Sequence, residues 1–219
     1  MSHAESSRGT RLQVSHLPRR AAEIVALMKR VGVLALQGDF EAHQKALQSA
    51  GAEAVQVRSE EELENLDGLV IPGGESTTML KLLNYMNLKE PLRRFVAEKP
   101  VFGTCAGAIL LATDVRNPEQ ESFGAVDITV ERNAYGRQIE SRVAMLHPSE
   151  EFTERVGEGD LEAVFIRAPI IRRTGPGVQV LAEYAGDPVL VEQGRHLIAT
   201  FHPELTADAR VHKLFLSKL

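Results

Sequence analysis

Residues 101–112 read Val-Phe-Gly-Thr-Cys-Ala-Gly-Ala-Ile-Leu-Leu-Ala, and they carry the strongest structural signal in the chain. The first two residues predict a short buried strand, and the last five predict a helix. Between the two, Gly103 and Gly107 flank Cys105. A tight turn from strand into helix around a nucleophilic side chain is called a nucleophile elbow, and it stands at the carboxyl edge of a parallel sheet.

The chain before this turn alternates between predicted strands and predicted helices. Short apolar runs are typical of strands buried on both faces, and segments with helical periodicity lie between them. The predicted strands are 31–36, 54–57 and 69–71, and the predicted helices are 40–50, 77–85 and 91–97. This order predicts an α/β fold in which a central, mostly parallel sheet carries helices on both faces.

The second half of the chain is dominated by predicted strands. They fall at 128–131, 142–146, 164–166, 178–182, 189–192 and 196–201. Turn signals such as Gly175-Pro176-Gly177 and Gln193-Gly194 separate several of them. We therefore expect part of this half to form an antiparallel extension of the sheet, and 207–216 to form a final helix.

The overall composition is that of an ordinary globular protein. Of the 219 residues, 43% are hydrophobic and 25% are charged, and the formal net charge is −5. Neither nucleic acid nor a membrane surface is an expected partner, because either would favour a basic face. No apolar run approaches the ~20 residues that a membrane-spanning helix requires. A single cysteine excludes a disulfide within the chain, so we expect a reducing, cytoplasmic location.

Residues 1–27 differ from the rest of the chain. They hold four arginines against two glutamates, several serines and no clear start of a core element. Two interpretations stay open, a transit-like leader and a tail from an upstream start codon, and Met28 before the first predicted strand slightly favours the second. We predict a disordered N-terminal extension over 1–27 and one domain over 28–219.

Cys105 has a chemical and a structural interpretation. A lone cysteine is more often a small buried hydrophobic residue than a reactive one. At the start of a helix, however, the dipole and the free N–H groups favour the thiolate, which is the attacking species. The pattern points to a nucleophile, although the packing of small residues at a strand–helix junction would produce it too.

His202-Pro203-Glu204 would supply the base that a cysteine nucleophile needs. An extended backbone places residues i and i+2 on one face, so Glu204 can orient the imidazole of His202 as in a triad. A surface turn after a strand is the competing interpretation. The other histidines lack a comparable setting, and most are expected to be structural or solvated: His3, His16, His43, His147, His196 and His212.

The segment 72–76, Pro-Gly-Gly-Glu-Ser, follows a predicted buried strand and precedes a helix. Its glycines leave backbone N–H groups open to a ligand. The N–H of Gly74, together with that of Ala106, would form an oxyanion hole. Taken alone, a Gly-Gly loop is often no more than a turn.

Together these segments resemble the class I, or triad, glutamine amidotransferase family, and within it the glutaminase subunits of pyridoxal 5'-phosphate synthase. The matching segments occur in the family's order from Lys29 to the C-terminus. They are 36–43 (LQGDFEAH), 72–79 (PGGESTTM), 102–107 (FGTCAG), 130–138 (VERNAYGRQ), 165–169 (FIRAP) and 200–206 (TFHPELT). The extension over 1–27 is a departure, because such subunits usually lack it.

The resemblance implies a flavodoxin-like fold and the hydrolysis of L-glutamine to glutamate and ammonia, without a cofactor or a metal. Cys105 would attack the side-chain amide to form a thioester, His202 would protonate the departing ammonia and then activate water, and Glu204 would orient His202. The residues implied in glutamine binding are Gly74, Glu75, Ser76, Arg132, Ile166 and Arg167. An arginine suits the substrate carboxylate because its planar fork can bind it bidentately.

The resemblance also implies a partner. In this family the ammonia passes to a synthase subunit with a (β/α)8 barrel fold, within a large hetero-oligomer. The glutaminase is similar to others that stay nearly inactive until the partner docks and completes the oxyanion hole. Gln37 and the loop after it are candidates for part of that contact.

Three alternatives stay open at this point. The first is a glutaminase subunit of another pathway, such as histidine biosynthesis, and the Gly-Gly-Glu-Ser-Thr-Thr and Phe-Ile-Arg-Ala-Pro segments argue against it. The second is a different enzyme with the same elbow, such as a cysteine peptidase. The third is a regulatory subunit that uses the fold only for binding.

Overall fold

The computed structural model describes residues 28–132 and 141–219. The predicted extension over 1–27 lies outside the described residues. The same holds for the part of the 130–138 segment that follows Arg132.

The described chain forms twelve strands and six α-helices. In order they are β1 (Arg30–Leu34), α1 (Phe40–Ser49), β2 (Glu53–Val57), β3 (Gly68–Ile71), α2 (Ser76–Tyr85), α3 (Lys89–Glu98), β4 (Val101–Thr104), α4 (Ala106–Leu111), β5 (Ala112–Arg116), β6 (Val126–Glu131), β7 (Ser141–Leu146), α5 (Glu150–Val156), β8 (Leu161–Ile166), β9 (Ile170–Thr174), β10 (Gln179–Tyr184), β11 (Asp187–Gln193), β12 (His196–Ala199) and α6 (Arg210–Leu216). Short 3-10 turns lie at Glu61–Leu63 and Pro203–Leu205.

A seven-stranded sheet forms the centre of the fold, with the strand order β10-β11-β12-β4-β3-β1-β2. The five strands from β12 to β2 pair in parallel, and β11 and β10 continue the sheet antiparallel. The predicted mostly parallel sheet with an antiparallel extension is therefore confirmed. Two smaller units lie beside it, the three-stranded sheet β5-β6-β9 and the ribbon β7-β8.

Helices cover both faces of the central sheet, as predicted. One face packs against buried side chains of α2, α3 and α4, and the other against those of α1, α5 and α6. The sheet residues alternate between these two cores: in β3, Leu69 and Ile71 belong to the first and Val70 to the second. No helix in the described ranges is long and apolar enough to cross a membrane.

Several predicted boundaries were wrong. The helix expected over 108–112 begins at Ala106, and Ala112 already starts β5. A short apolar run fits a helix and a buried strand equally well, so the pattern could not locate this change. Helix α5 was missed because Phe152 is its one buried residue. The final helix begins at Arg210, three residues later than predicted.

The elbow between β4 and α4 depends on two close backbone contacts. A Cβ atom on Gly103 would stand 2.7 Å from the backbone of Gly107, and one on Gly107 would stand 2.1 Å from the carbonyl oxygen of Ile71. The glycines therefore let the helix pack directly on the sheet, as predicted. The strained residue is Cys105 itself, at φ 48° and ψ −101°. Its ψ lies outside the common left-handed region, and strained backbone of this kind clusters at functional sites.

Candidate active site

The carboxyl ends of four neighbouring parallel strands meet above the elbow. Gln37 follows β1, Gly73 follows β3, Cys105 follows β4 and His202 follows β12. In open α/β sheets, ligands bind at this edge. A cleft of about 280 Å³ lies here, a size that suits a small molecule. It is lined by Gly38, Asp39, Gly73, Gly74, Glu75, Ser76, Cys105, Ile109, Arg132, Ile166, Arg167 and His202.

The cleft brings together most of the residues predicted for the site. Glu204 and Ala106 are the two predicted residues outside its lining, because Glu204 lies behind His202 and Ala106 begins α4 beneath the cysteine. Gly38, Asp39 and Ile109 line the cleft without having been predicted. The match of 36–43 to the family pattern was the signal that could have found the first two.

His202 and Glu204 form a close pair. His202 Nδ1 lies 2.8 Å from Glu204 Oε1, and the carboxylate is buried. The predicted reason for this pairing was wrong: Pro203–Leu205 is a 3-10 turn, not an extended segment. The turn folds the glutamate back toward the imidazole. The N–H of His202 donates to the carbonyl of Val164 at 2.8 Å, which ties the turn to β8.

The surroundings of His202 favour its protonated form. Burial alone would lower the pKa of His202, but hydrogen bonds and charge from Cys105 and Glu204 raise it to about 10. His202 also lies against the Gly-Gly loop, since a Cβ on Gly73 would stand 2.4 Å from its Cε1 atom. An imidazolium beside Cys105 would stabilise the thiolate that attacks a carbonyl carbon.

The two backbone N–H groups at the elbow, those of Cys105 and Ala106, differ in their availability to a ligand. The N–H of Cys105 donates to the carbonyl of Ala199 at 2.9 Å, so the sheet uses it. Ala106 is the first residue of α4, and the N–H groups of a helix's first turn have no acceptor within the helix. Of the N–H groups of Cys105 and Ala106, that of Ala106 is therefore the better placed to stabilise an oxyanion.

The side chain of Gln37 lies over Gly74, the other predicted oxyanion residue. Gln37 Nε2 donates to the carbonyl oxygen of Glu75 at 2.6 Å. A Cβ on Gly74, whose φ is 137°, would stand 3.0 Å from the Gln37 amide carbon. The Gly-Gly loop is thus held by a residue from the end of β1, and Gln37 and the loop contact each other directly.

Glu75 caps helix α2 and holds an arginine. Its carboxylate accepts hydrogen bonds from the N–H groups of Thr77 and Thr78. Burial opposes ionisation, but these bonds and one from the Thr78 hydroxyl lower the pKa of Glu75 to about 2. Arg132 Nη2 lies 3.3 Å from Glu75 Oε1 and donates to the Thr77 hydroxyl at 2.8 Å. A fixed negative and a fixed positive group therefore lie side by side in the cleft.

The remaining predicted residues occupy the other walls. Ser76 is buried and donates to Gln120 at 2.8 Å. The carbonyl oxygen of Ile166 lies 4.0 Å from Cys105 Sγ, at the end of β8. Arg167 follows in a left-handed conformation with φ 46°, and its side chain is exposed at the cleft. The two arginines, Arg132 and Arg167, thus reach the cleft from different strands.

Comparison with known proteins assigns this arrangement to a family. Residues 33–219 match the SNO glutamine amidotransferase family. The chain belongs to that family. The "Pyridoxal 5'-phosphate synthase subunit PdxT" of Solibacter usitatus is 66% identical over 192 residues, which cover 88% of this chain and 100% of the relative. The protein of the same name from Koribacter versatilis is 58% identical and covers 85% and 94%.

Solved structures agree with this assignment. The crystal structure of a glutamine amidotransferase superposes with a TM-score of 0.77 at 49% identity, covering 86% of this chain and 97% of the other. The structure of PurLQS from Thermotoga maritima superposes with a TM-score of 0.59 at 15% identity, covering 87% and 99%. The second likeness shows the shared fold alone. The predicted fold class of the glutamine amidotransferases is thereby confirmed.

One histidine of this glutamine amidotransferase was missed as a site residue. His43 of α1 is fully buried, and its Nε2 atom lies 3.3 Å from Glu204 Oε2 and 3.1 Å from the Thr104 hydroxyl. On its other side, His43 Nδ1 lies 3.1 Å from Nε2 of the buried His212. Its spacing from Leu47 could have revealed it, because residues i and i+4 share a helix face and Leu47 is in the core.

We expect two buried histidines to make this glutamine amidotransferase less stable in mild acid. Burial lowers the pKa of His212 to about 3, and burial with the charges of Arg195 and Lys218 lowers that of His196 to about 4. Histidines of the unfolded chain titrate near pH 6.5, so below that pH only the unfolded state binds these protons. Each histidine should therefore reduce the free energy of unfolding by up to about 1.4 kcal/mol per pH unit.

Urea unfolding between about pH 6.5 and 5 measures this slope. His202 does not contribute in this window, because its pKa is raised and its stabilising effect is complete below about pH 6.5. The variant His196→Asn should lose about half of the slope. An unfolding free energy that is flat over this range would contradict the prediction.

Proposed function

We propose that Cys105, His202 and Glu204 hydrolyse L-glutamine to L-glutamate and ammonia through a thioester on Cys105. The chain's family gives the overall activity: it is a glutaminase that supplies ammonia for pyridoxal 5'-phosphate, vitamin B6, synthesis. The observation that supports the residue assignment is that His202, paired with the buried Glu204 at 2.8 Å, lines the same cleft as the only cysteine of the chain.

The proposed reaction begins with the thiolate of Cys105 attacking the side-chain amide carbon of glutamine. The N–H of Ala106 and that of Gly74 would stabilise the oxyanion of the tetrahedral intermediate. The imidazolium of His202 donates its proton to the leaving nitrogen, the C–N bond breaks, and ammonia departs from the thioester. Neutral His202 then takes a proton from water, which attacks the thioester and releases glutamate.

The charges of the cleft fit a free amino acid. Arg132 and Arg167 can bind the α-carboxylate of glutamine, and Glu75, ionised because its pKa is low, can attract the α-ammonium group. We propose that Gly74, Ser76 and the carbonyl of Ile166 complete the binding site. A peptide substrate would have neither free terminal charge next to its glutamine, so this charge pattern favours glutaminase over peptidase activity.

We further propose a cytoplasmic complex with the synthase subunit of pyridoxal 5'-phosphate synthase, in a large hetero-oligomer. The relatives are named as subunits of that enzyme. Gln37 supports the proposed place of docking, since it holds the Gly-Gly loop through Glu75. Movement of Gln37 by a docked partner would change the oxyanion hole directly.

Glutamate release, measured with and without the synthase subunit of the same organism, tests this function. If docking completes the oxyanion hole, the partner should stimulate hydrolysis about 10²-fold, which is the effect of one such donor. The synthase of histidine biosynthesis is the matched control and should have no effect. Stimulation by the histidine-pathway protein alone would refute the assignment.

A glutamine-mimicking electrophile separates the remaining alternatives. It should label Cys105, the only cysteine, and free glutamine should protect against labelling. Protection by peptides and not by glutamine would instead support a peptidase. A chain that binds glutamine without hydrolysing it in the complex would support a regulatory role.

A further inference from the structure

We propose that His43 is a positioning residue of the glutaminase site, which holds the carboxylate of Glu204 so that its other oxygen faces His202. The inference rests on the proposed function, because it assigns a role relative to that triad. His43 belongs to α1, whereas Glu204 belongs to the turn after β12, so the contact joins two distant parts of the chain.

The geometry gives each oxygen of Glu204 a different imidazole. Oε1 lies 2.8 Å from His202 Nδ1, and Oε2 lies 3.3 Å from His43 Nε2. The side chains of both Glu204 and His43 are completely buried. Among the described residues Glu204 Oε2 has no hydrogen-bond partner, so its 3.3 Å charge contact with His43 Nε2 is what opposes rotation of the carboxylate plane away from His202.

The contact between His43 Nδ1 and His212 determines which ring nitrogen of His43 carries the proton. His43 Nδ1 lies 3.1 Å from His212 Nε2, and within the described residues His212 Nδ1 has no hydrogen-bond partner. Burial keeps His212 neutral by lowering its pKa to about 3. A buried N–H without an acceptor is rarer than a bare carbonyl or ring acceptor, so the proton of His212 belongs on Nε2. His212 then donates to His43 Nδ1, and the proton on His43 Nε2 is shared by the Thr104 hydroxyl at 3.1 Å and Glu204 Oε2 at 3.3 Å.

The charged groups around Glu204 are consistent with this arrangement. Burial alone would raise the pKa of Glu204, but His43 from α1 and His202 from its own turn hold it well below its usual range. From β4, the Thr104 hydroxyl lies 3.1 Å from His43 Nε2, and the ring of Phe102 packs edge-on against His43 and His212. The network is therefore enclosed, and His43 is the only link between His212 and the triad among these groups.

Replacing His43 with glutamine or with asparagine distinguishes a positioning role of this residue from a packing role. In His43→Gln the amide nitrogen can reach the place of Nε2, whereas in His43→Asn it reaches only the place of Nδ1. His196→Asn is the matched control, since His196 is also buried but lies outside the cleft. All variants should be assayed in the complex with the synthase subunit, with urea unfolding as the measure of folding.

We expect His43→Asn to lower kcat about tenfold or more with little change in KM, because the substrate contacts are untouched. The acid limb of its pH–rate profile should move to higher pH, since Glu204 loses a partner that favours its ionised form. His43→Gln should recover most of kcat, and His196→Asn should match the wild type. Equal loss in the Asn and Gln variants with an unchanged pH profile would overturn the proposal, as would full activity in a folded His43→Asn.

A measurement on the unaltered protein applies even if a variant does not fold. Long-range ¹H–¹⁵N NMR spectra distinguish a protonated from a bare ring nitrogen in each histidine. A protonated His43 Nε2 is expected, and a bare Nε2 would overturn the proposal. Failure of the proposed function is a separate outcome, because it would appear as absent glutaminase activity in the wild-type complex.

Discussion

Replacing Cys105 with alanine is expected to reduce glutamine hydrolysis by the complex about 10⁴-fold or more, because no other group can form the thioester. The fold should tolerate the change. Cys105 is nearly buried, and alanine removes a single sulfur atom from a turn that Gly103, Gly107 and the Ala199 carbonyl hold in place. The Cys105→Ala variant should therefore lose its activity and keep its fold.

Glutamate release by the Cys105→Ala and Cys105→Ser complexes measures this effect, and size-exclusion chromatography with the synthase subunit measures assembly. Serine keeps a hydroxyl at the same site but is far less ionised than a thiol, so it should also be inactive. The sequence contains one cysteine, so the extent of iodoacetamide labelling reports on this residue alone. Glutamate release that persists in the assembled alanine variant would refute the nucleophile assignment.

The variant Glu204→Gln is expected to lower kcat about 10²- to 10⁴-fold, by analogy with loss of the carboxylate in other triads. A neutral amide cannot stabilise the imidazolium of His202, so the pKa of His202 should fall from about 10 toward its ordinary value. Less imidazolium would then be available to protonate the leaving ammonia at neutral pH.

Glu192→Gln is the matched control for this variant. Glu192 is also a buried carboxylate, and it pairs with Arg155 and Lys218 at 2.7 Å, outside the cleft. The Glu192→Gln variant should have a lower free energy of unfolding than the wild type but the same kcat. The pH dependence of kcat and of iodoacetamide labelling should change in Glu204→Gln alone. Equal kcat losses in the two variants would indicate a general effect on the fold and contradict the assigned role.

The sequence predicted the elbow well because its causes are local. Gly103 and Gly107 must be small for the backbone contacts that the structure contains, and an apolar strand before them marks the sheet edge. The alternation of strands and helices likewise fixed the parallel sheet through general rules of connection. Helix α5 was not predicted because its burial depends on tertiary contacts of Phe152 and not on a repeating apolar pattern.

The site was harder to predict wherever the contact was distant in sequence or the backbone was irregular. The pairing of His202 with Glu204 was predicted from an extended backbone, but Pro203 starts a 3-10 turn. His43 was expected to be structural or solvated because nothing near it in the sequence is comparable to the His-Pro-Glu setting of His202. Its partners Glu204 and His212 come from the other end of the chain. Such contacts form only when the helices pack on the sheet, so no local sequence pattern reveals them.

The hydrogen bond from the Cys105 N–H to the Ala199 carbonyl makes the reactive thiol a reporter of folding. The strand pair β4–β12 joins segments far apart in the sequence, and such pairings form slowly. At a pH of about 6 an unfolded cysteine is almost entirely protonated and reacts poorly. Iodoacetamide added at intervals after dilution from urea would therefore mark the moment at which the sheet closes and His202 reaches the cysteine. Labelling of the enzyme's own cysteine would thus time the pairing of β4 with β12 during refolding.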